Sequence, residues 1–129
     1  MKVLALDYGA ARTGVAVSDP TGTLARPLCV VERASSDDGL ARLARVIGEE
    51  GAERVVVGLP LTLRGQHGAQ AAETERFVAA LRAVVAVPVE TLDERFTTTL
   101  AERGVGGAIA PADARAAAHL LETYLARVR

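Results

Sequence analysis

The sequence predicts an α/β fold: one five-stranded mixed sheet, strand order 3-2-1-4-5, flanked by helices. Three observations carry it. Lys2 to Leu6 is apolar on both faces, as a strand covered on both sides in the middle of a sheet must be. Two turn signals directly after it imply an antiparallel meander. Helix-spaced leucines then separate further valine-rich strands, as a crossover to a parallel neighbour requires.

In chain order, Tyr8-Gly9-Ala10-Ala11-Arg12 is a short glycine-containing connection, and Thr13 to Ser18 returns as the second strand. Asp19-Pro20-Thr21-Gly22 is a second turn, and Pro27 to Glu32 the third strand. Ser35-Ser36-Asp37-Asp38 offers capping oxygens, after which Leu40, Leu43 and Ile47 recur at helical spacing until Gly51. Arg54 to Val57 is the fourth strand, stopped by Gly58-Leu59-Pro60. Leu61 to Gln70, with Gly65 and Gly68, reads as a mobile loop at the carboxyl edge of the sheet, followed by a helix with Phe77 and Leu81 inward. Val87 to Leu92 is the fifth strand, Thr97 to Arg103 a short helix and Gly104 to Gly107 a flexible link. Pro111 opens the last helix, through Arg127, with Ala117, Leu120, Leu121, Tyr124 and Val128 as its apolar stripe.

At 129 residues and 50% hydrophobic, the chain is sized for one domain over residues 1–129. Asp7 interrupts the first apolar run long before a signal peptide or membrane span could form, so a cytoplasmic protein with no membrane partner is expected. The single cysteine, Cys29, allows neither an internal disulfide nor a cysteine metal site, and reads as a buried core thiol. A net charge of -1 excludes binding to nucleic acid by bulk basicity, so any such site must be local.

Three acids stand where solvation alone would not put them. Asp7 ends a buried strand, Asp93-Glu94 ends another, and Asp113 opens a helix. Asp113, Ala117, Leu121 and Tyr124 share one helical stripe, which turns the carboxylate toward the sheet. Strands one, four and five, if parallel, bring Asp7 and Glu94 to one edge. With strand four between them the two strands lie about 10 Å apart, a gap that two metal ions would bridge. The pattern points to Mg²⁺ or Mn²⁺ held by Asp7, Glu94 and Asp113 for phosphodiester hydrolysis. Glu94 is preferred over Asp93 for its reach, with Asp93 in reserve. Taken alone, Asp113 reads better as a helix cap.

Leu6-Asp7-Tyr8-Gly9 with Arg12-Thr13-Gly14-Val15-Ala16-Val17-Ser18-Asp19, then Val57-Gly58-Leu59-Pro60-Leu61, Asp93-Glu94-Arg95-Phe96-Thr97-Thr98 and Asp113, resemble the YqgF/RuvX family in order through nearly the whole chain. The resemblance implies an RNase H-like fold, trimming of the 5′ end of pre-16S rRNA in ribosome maturation, and kinship with Holliday junction resolvases of the RuvC type. Several positions depart from the pattern. Ala11 replaces a usual lysine, and the loop after Pro60 lacks the common Asn and Asp. Gly58 and Ala116 stand where RuvC-like proteins carry further acids, so the second ligand is expected from strand five.

Arg12 reads as a contact for a substrate phosphate, and Arg95 equally as that or as a structural ion pair. Thr97 and Thr98 can cap the short helix or bind a backbone phosphate, capping being the stronger reading. His67 reads as a solvated loop residue before a proton shuttle, and His119 as structural. Tyr8 and Phe96 flank the acids and could stack on a base. The expected partner is structured RNA or pre-rRNA, with ribosomal particles and branched DNA as further candidates, bound by a monomer or homodimer. Competing readings are a resolvase-like DNA endonuclease, a non-catalytic RNA- or ribosome-binding module and, from Asp7-Tyr8-Gly9, an actin-like ATPase lobe that one domain cannot complete.

Overall fold

The computed structural model describes residues 1–61, 65–66, 68–94 and 111–128. The elements are β1 (Val3–Asp7), β2 (Arg12–Ser18), β3 (Ala25–Glu32), α1 (Asp37–Glu50), β4 (Arg54–Leu59), α2 (Ala69–Arg82), β5 (Val89–Asp93) and α3 (Ala112–Val128). They build the expected five-stranded sheet in the order β3-β2-β1-β4-β5. β1 pairs antiparallel with β2 and parallel with β4, which pairs parallel with β5. Among the described residues no helix is long and apolar enough to cross a membrane.

The alternation of β1 explains the layers. Leu4 and Leu6 join Val55, Val57 and Val89 in a core closed by Leu40, Leu43 and Ile47 of α1 and Phe77, Val78 and Leu81 of α2. Val3 and Ala5 join Ala16, Val56 and Leu92 in a second core closed by α3. By the same alternation Asp7, Gly14 and Gly58 fall on the α3 face.

Local signals act as anticipated at α1. The Ser36 hydroxyl accepts from the Gly39 amide at 3.0 Å, and Gly51 ends the helix in the left-handed region at φ 67°. α3 is held at both ends. Near its end, the Tyr124 hydroxyl accepts from Arg54 Nη1 of β4 (2.9 Å) and donates to Glu90 Oε2 of β5 (3.1 Å). At its start it meets β2 so closely that a Cβ on Gly14 would overlap the Asp113 carbonyl oxygen and lie 2.9 Å from the Ala114 nitrogen.

Three expectations need correction and a fourth is narrowed. β4 does not stop at Val57: Gly58 and Leu59 pair with Leu92 and Asp93 of β5. Val128 is 56% exposed, so the buried stripe of α3 ends at Leu125. Cys29 is only half-buried, on a β3 most of whose residues stay partly accessible. Tyr8 is stacked face to face on Phe77 at a centroid distance of 4.3 Å, which commits one face of its ring to the protein. His67, the short helix and the glycine link lie outside the described residues.

Gly14→Ala should destabilise the protein by about 2 kcal/mol or more, because the obstacle is backbone on both sides. Gly48→Ala, in α1 with nothing within 4 Å of the added methyl, should stabilise it by about 0.5–1 kcal/mol. Urea denaturation of both variants checks this, and equal effects would refute the close approach of α3 to β2.

Candidate active site

Asp7 ends β1 at the centre of the sheet, and Glu94 follows directly on Asp93, the last residue of β5. β4 separates them, yet the two carboxyl groups are hydrogen-bonded to each other. The reason is Gly58. Its β4 position lies between the two acids on the α3 face, and the Glu94 side chain crosses its bare backbone. A Cβ there would overlap Glu94 Oε1 and come within 2.9 Å of Glu94 Cγ. The gap expected to need two metal ions is therefore already closed by the reach of one glutamate.

The electrostatics follow. Burial, then the charge of Asp7, the hydrogen bond to Asp7 and the charge of Asp93 push the Glu94 carboxyl up to about 7. Burial also raises Asp7, the hydrogen bond from Glu94 opposes that rise, and the charge of Asp113 adds to it. The pair holds a proton to higher pH than a free carboxyl does, with Glu94 the donor to Asp7. Asp113 lies within electrostatic range of Asp7 but spends its carboxylate on Arg12, Nε to Oδ2 at 3.3 Å, with the side chains 66% and 39% exposed respectively.

The donors are all hard oxygens, the set that suits Mg²⁺ or Mn²⁺. A divalent cation in place of the shared proton would remove the cost of ionising two adjoining carboxyls. Asp7 and Glu94 thus fit such an ion as they stand. Among the described residues no group of three potential ligands is gathered closely enough to hold one; Asp113 is paired with Arg12. Asp93 acts on Glu94 through its charge. Arg95, Thr97 and Thr98 lie outside the described residues.

A cavity of about 230 Å³ opens beside the acids, lined by Asp7, Glu94, Pro60, Gln70, Glu73 and Thr74 among others. Glu73 was not singled out from the sequence. The signal was present: it stands four and eight residues before Phe77 and Leu81, an acid in the inward stripe of α2. The Tyr8 hydroxyl meets its Oε1 at 3.4 Å.

A carboxyl raised in the folded state holds its proton where the unfolded chain has lost it. Its contribution to stability therefore falls as pH rises from the ordinary value of 4.5 to about 7, and stays lost above that. Asp7, raised in the same sense, adds to the trend. Chelator-treated protein should be less stable to urea at pH 8 than at pH 5, and Glu94→Gln should flatten the difference. Gly58→Ala should flatten it as well by evicting the Glu94 carboxyl. A dependence unchanged in both variants would refute the buried pair.

The sequence model of the RuvX family, described as a Holliday junction resolvase, matches residues 1–127. A protein of Chloroflexus aggregans named "Putative pre-16S rRNA nuclease" is 46% identical over 132 residues, covering 95% of this chain and 92% of that one. Its namesake in Maridesulfovibrio salexigens is 36% identical, covering 98% and 99%. Among solved structures, Thermus thermophilus RuvC bound to a Holliday junction substrate superposes with a TM-score of 0.64 at 22% identity, over 99% of this chain and 96% of that one, which establishes the RNase H-like fold. By the extent of these matches, the chain belongs to the RuvX family of nucleases.

Proposed function

We propose that this protein is a divalent-metal-dependent nuclease that processes the 5′ end of pre-16S rRNA, with Asp7, Glu94 and Asp113 as its metal ligands. The observation that carries the reading is the pair of half-buried carboxyls, Asp7 and Glu94, pressed together over Gly58 with Asp113 beside them. Two adjoining acids at the carboxyl edge of a sheet are costly to keep and serve no packing purpose. The name shared by the curated relatives supports the rRNA assignment.

A bound Mg²⁺ or Mn²⁺ supplies Lewis acidity at the phosphodiester and neutralises its charge. The residues do the rest. Asp7, central in the sheet and tied by β1 to both neighbours, gives the most rigid ligand. Glu94, fixed by its crossing of Gly58, gives the second. Asp113 would give the third on leaving Arg12, whose guanidinium would then be free to hold a non-bridging oxygen of the scissile phosphate. Water attacks phosphorus, the 3′ oxygen departs, and that oxygen collects a proton, leaving a 5′ phosphate and a 3′ hydroxyl. Glu73, which lines the same cavity as Asp7, is a further carboxylate that would take the proton of the attacking water.

A second reading, cleavage of branched DNA, is favoured by the description of the family as a Holliday junction resolvase. Paired cuts across a four-way junction need two sites in a two-fold dimer. Wild-type protein with Mn²⁺ or Mg²⁺ should cut precursor rRNA, and Asp7→Asn should lower the rate at least about 100-fold. Parallel assays on precursor rRNA and a four-way junction, with mass by light scattering, decide between the readings. Equal cleavage by wild type and Asp7→Asn would remove the proposed site, and a dimer that cuts only the junction would replace rRNA by DNA.

A further inference from the structure

Arg33 is the only non-glycine among the described residues with a positive φ, 46°. A side chain in that region costs free energy that glycine or asparagine largely avoids, and such residues persist only where their surroundings over-determine them. The surroundings here do so. The Arg33 amide donates to the Ala11 carbonyl at 3.0 Å, and its own carbonyl accepts from the Ser36 amide (3.0 Å) and the Ser36 hydroxyl (2.7 Å). Gly39 is bare where α1 meets this corner: a Cβ there would overlap the Arg33 carbonyl oxygen and lie 2.7 Å from Ala34 Cα. The backbone of Arg33 is thus pinned to the β1–β2 connection, next to the residue that pairs with Asp113.

The side chain is not accounted for by this anchoring. Arg33 is exposed and makes no ion pair among the described residues. It lines an open depression of about 630 Å³ together with Ala10, Ala11, Arg12 and Glu32. Ala10 and Ala11 add no charge to this lining, and of its two arginines Arg12 is paired with Asp113.

We propose that Arg33 binds a backbone phosphate of the nucleic-acid substrate, beside the phosphate that Arg12 takes, and that its strained backbone serves to aim it there. This rests on the nuclease reading above. It makes Arg33 a substrate-binding residue outside the metal site, acting on affinity rather than on the chemical step.

The backbone strain makes the test discriminating. Arg33→Gly relieves the strain while deleting the charge, so the Tm should equal or exceed that of wild type while binding falls. The probe is a labelled structured RNA followed by fluorescence anisotropy in EDTA, from about 50 to 200 mM salt, where no cleavage intervenes. Arg33→Gly should bind about three- to tenfold more weakly, and the slope of log affinity against log salt should shrink by about 0.7, the value of one phosphate contact on a single strand. Arg33→Lys keeps the charge and should keep the slope. Arg26→Ala, removing an exposed arginine paired with Glu50 at 3.6 Å, should leave it unchanged. A wild-type slope in Arg33→Gly, or a lowered slope in Arg33→Lys or Arg26→Ala, overturns the assignment while leaving the nuclease reading intact. Wild type that binds no RNA at any salt overturns both.

Discussion

The contact of Glu94 with Asp7 is the interaction on which the site depends, and it exists only because β4 carries no side chain between them. Parallel strands two places apart are separated by about 10 Å, more than two carboxyl groups span when each stands upright from its own strand. Glu94 closes the distance by lying down across Gly58. The cost is visible in its proton affinity, raised to about 7, since two carboxyls in contact and half out of water cannot both ionise cheaply. The cost is kept because the crossing over Gly58 leaves Glu94 no distance from Asp7.

The third acid is placed by packing rather than by charge. α3 meets the sheet through Ala114, Ala117 and Ala118, all fully buried, and small side chains let helix and sheet approach closely. The approach is tightest at Gly14, where the Asp113 carbonyl occupies the space of a missing Cβ. At the far end Tyr124 bridges Arg54 and Glu90 from two strands. Held at both ends, the helix cannot slide, so the first-turn carboxylate stays within range of Asp7. Two absent side chains, at Gly14 and Gly58, therefore let Glu94 reach Asp7 and α3 come down onto β2.

Much of this was legible in the sequence, and the limits have physical reasons. The uninterrupted apolar run of β1 showed a strand covered on both faces, and its termination at Asp7 marked an acid at the carboxyl edge. The Ser36 cap and the leucine spacing located α1, and the stripe through Ala117, Leu121 and Tyr124 gave the inward face of α3. Periodicity carries no information on where a ladder of hydrogen bonds ends, so Gly58 and Leu59 looked like a stop although β5 pairs with both. Gly58 also looked like a missing acid, because pattern reading registers what a residue lacks and not what a neighbour puts in its place. Tyr8 looked available for stacking, since the partner that takes its ring, Phe77, is remote in sequence.

The near-zero net charge constrains how such a protein can hold a polyanion. Without a diffuse positive field, affinity has to come from a few cations placed within reach of the acids. The Arg12–Asp113 pair fits that demand, because a pair whose arginine is 66% exposed contributes less than about 1 kcal/mol to stability. It is not what anchors α3, which Gly14 and Tyr124 already secure. Its weakness is the useful property: a guanidinium bound this loosely can leave its carboxylate without loosening the fold.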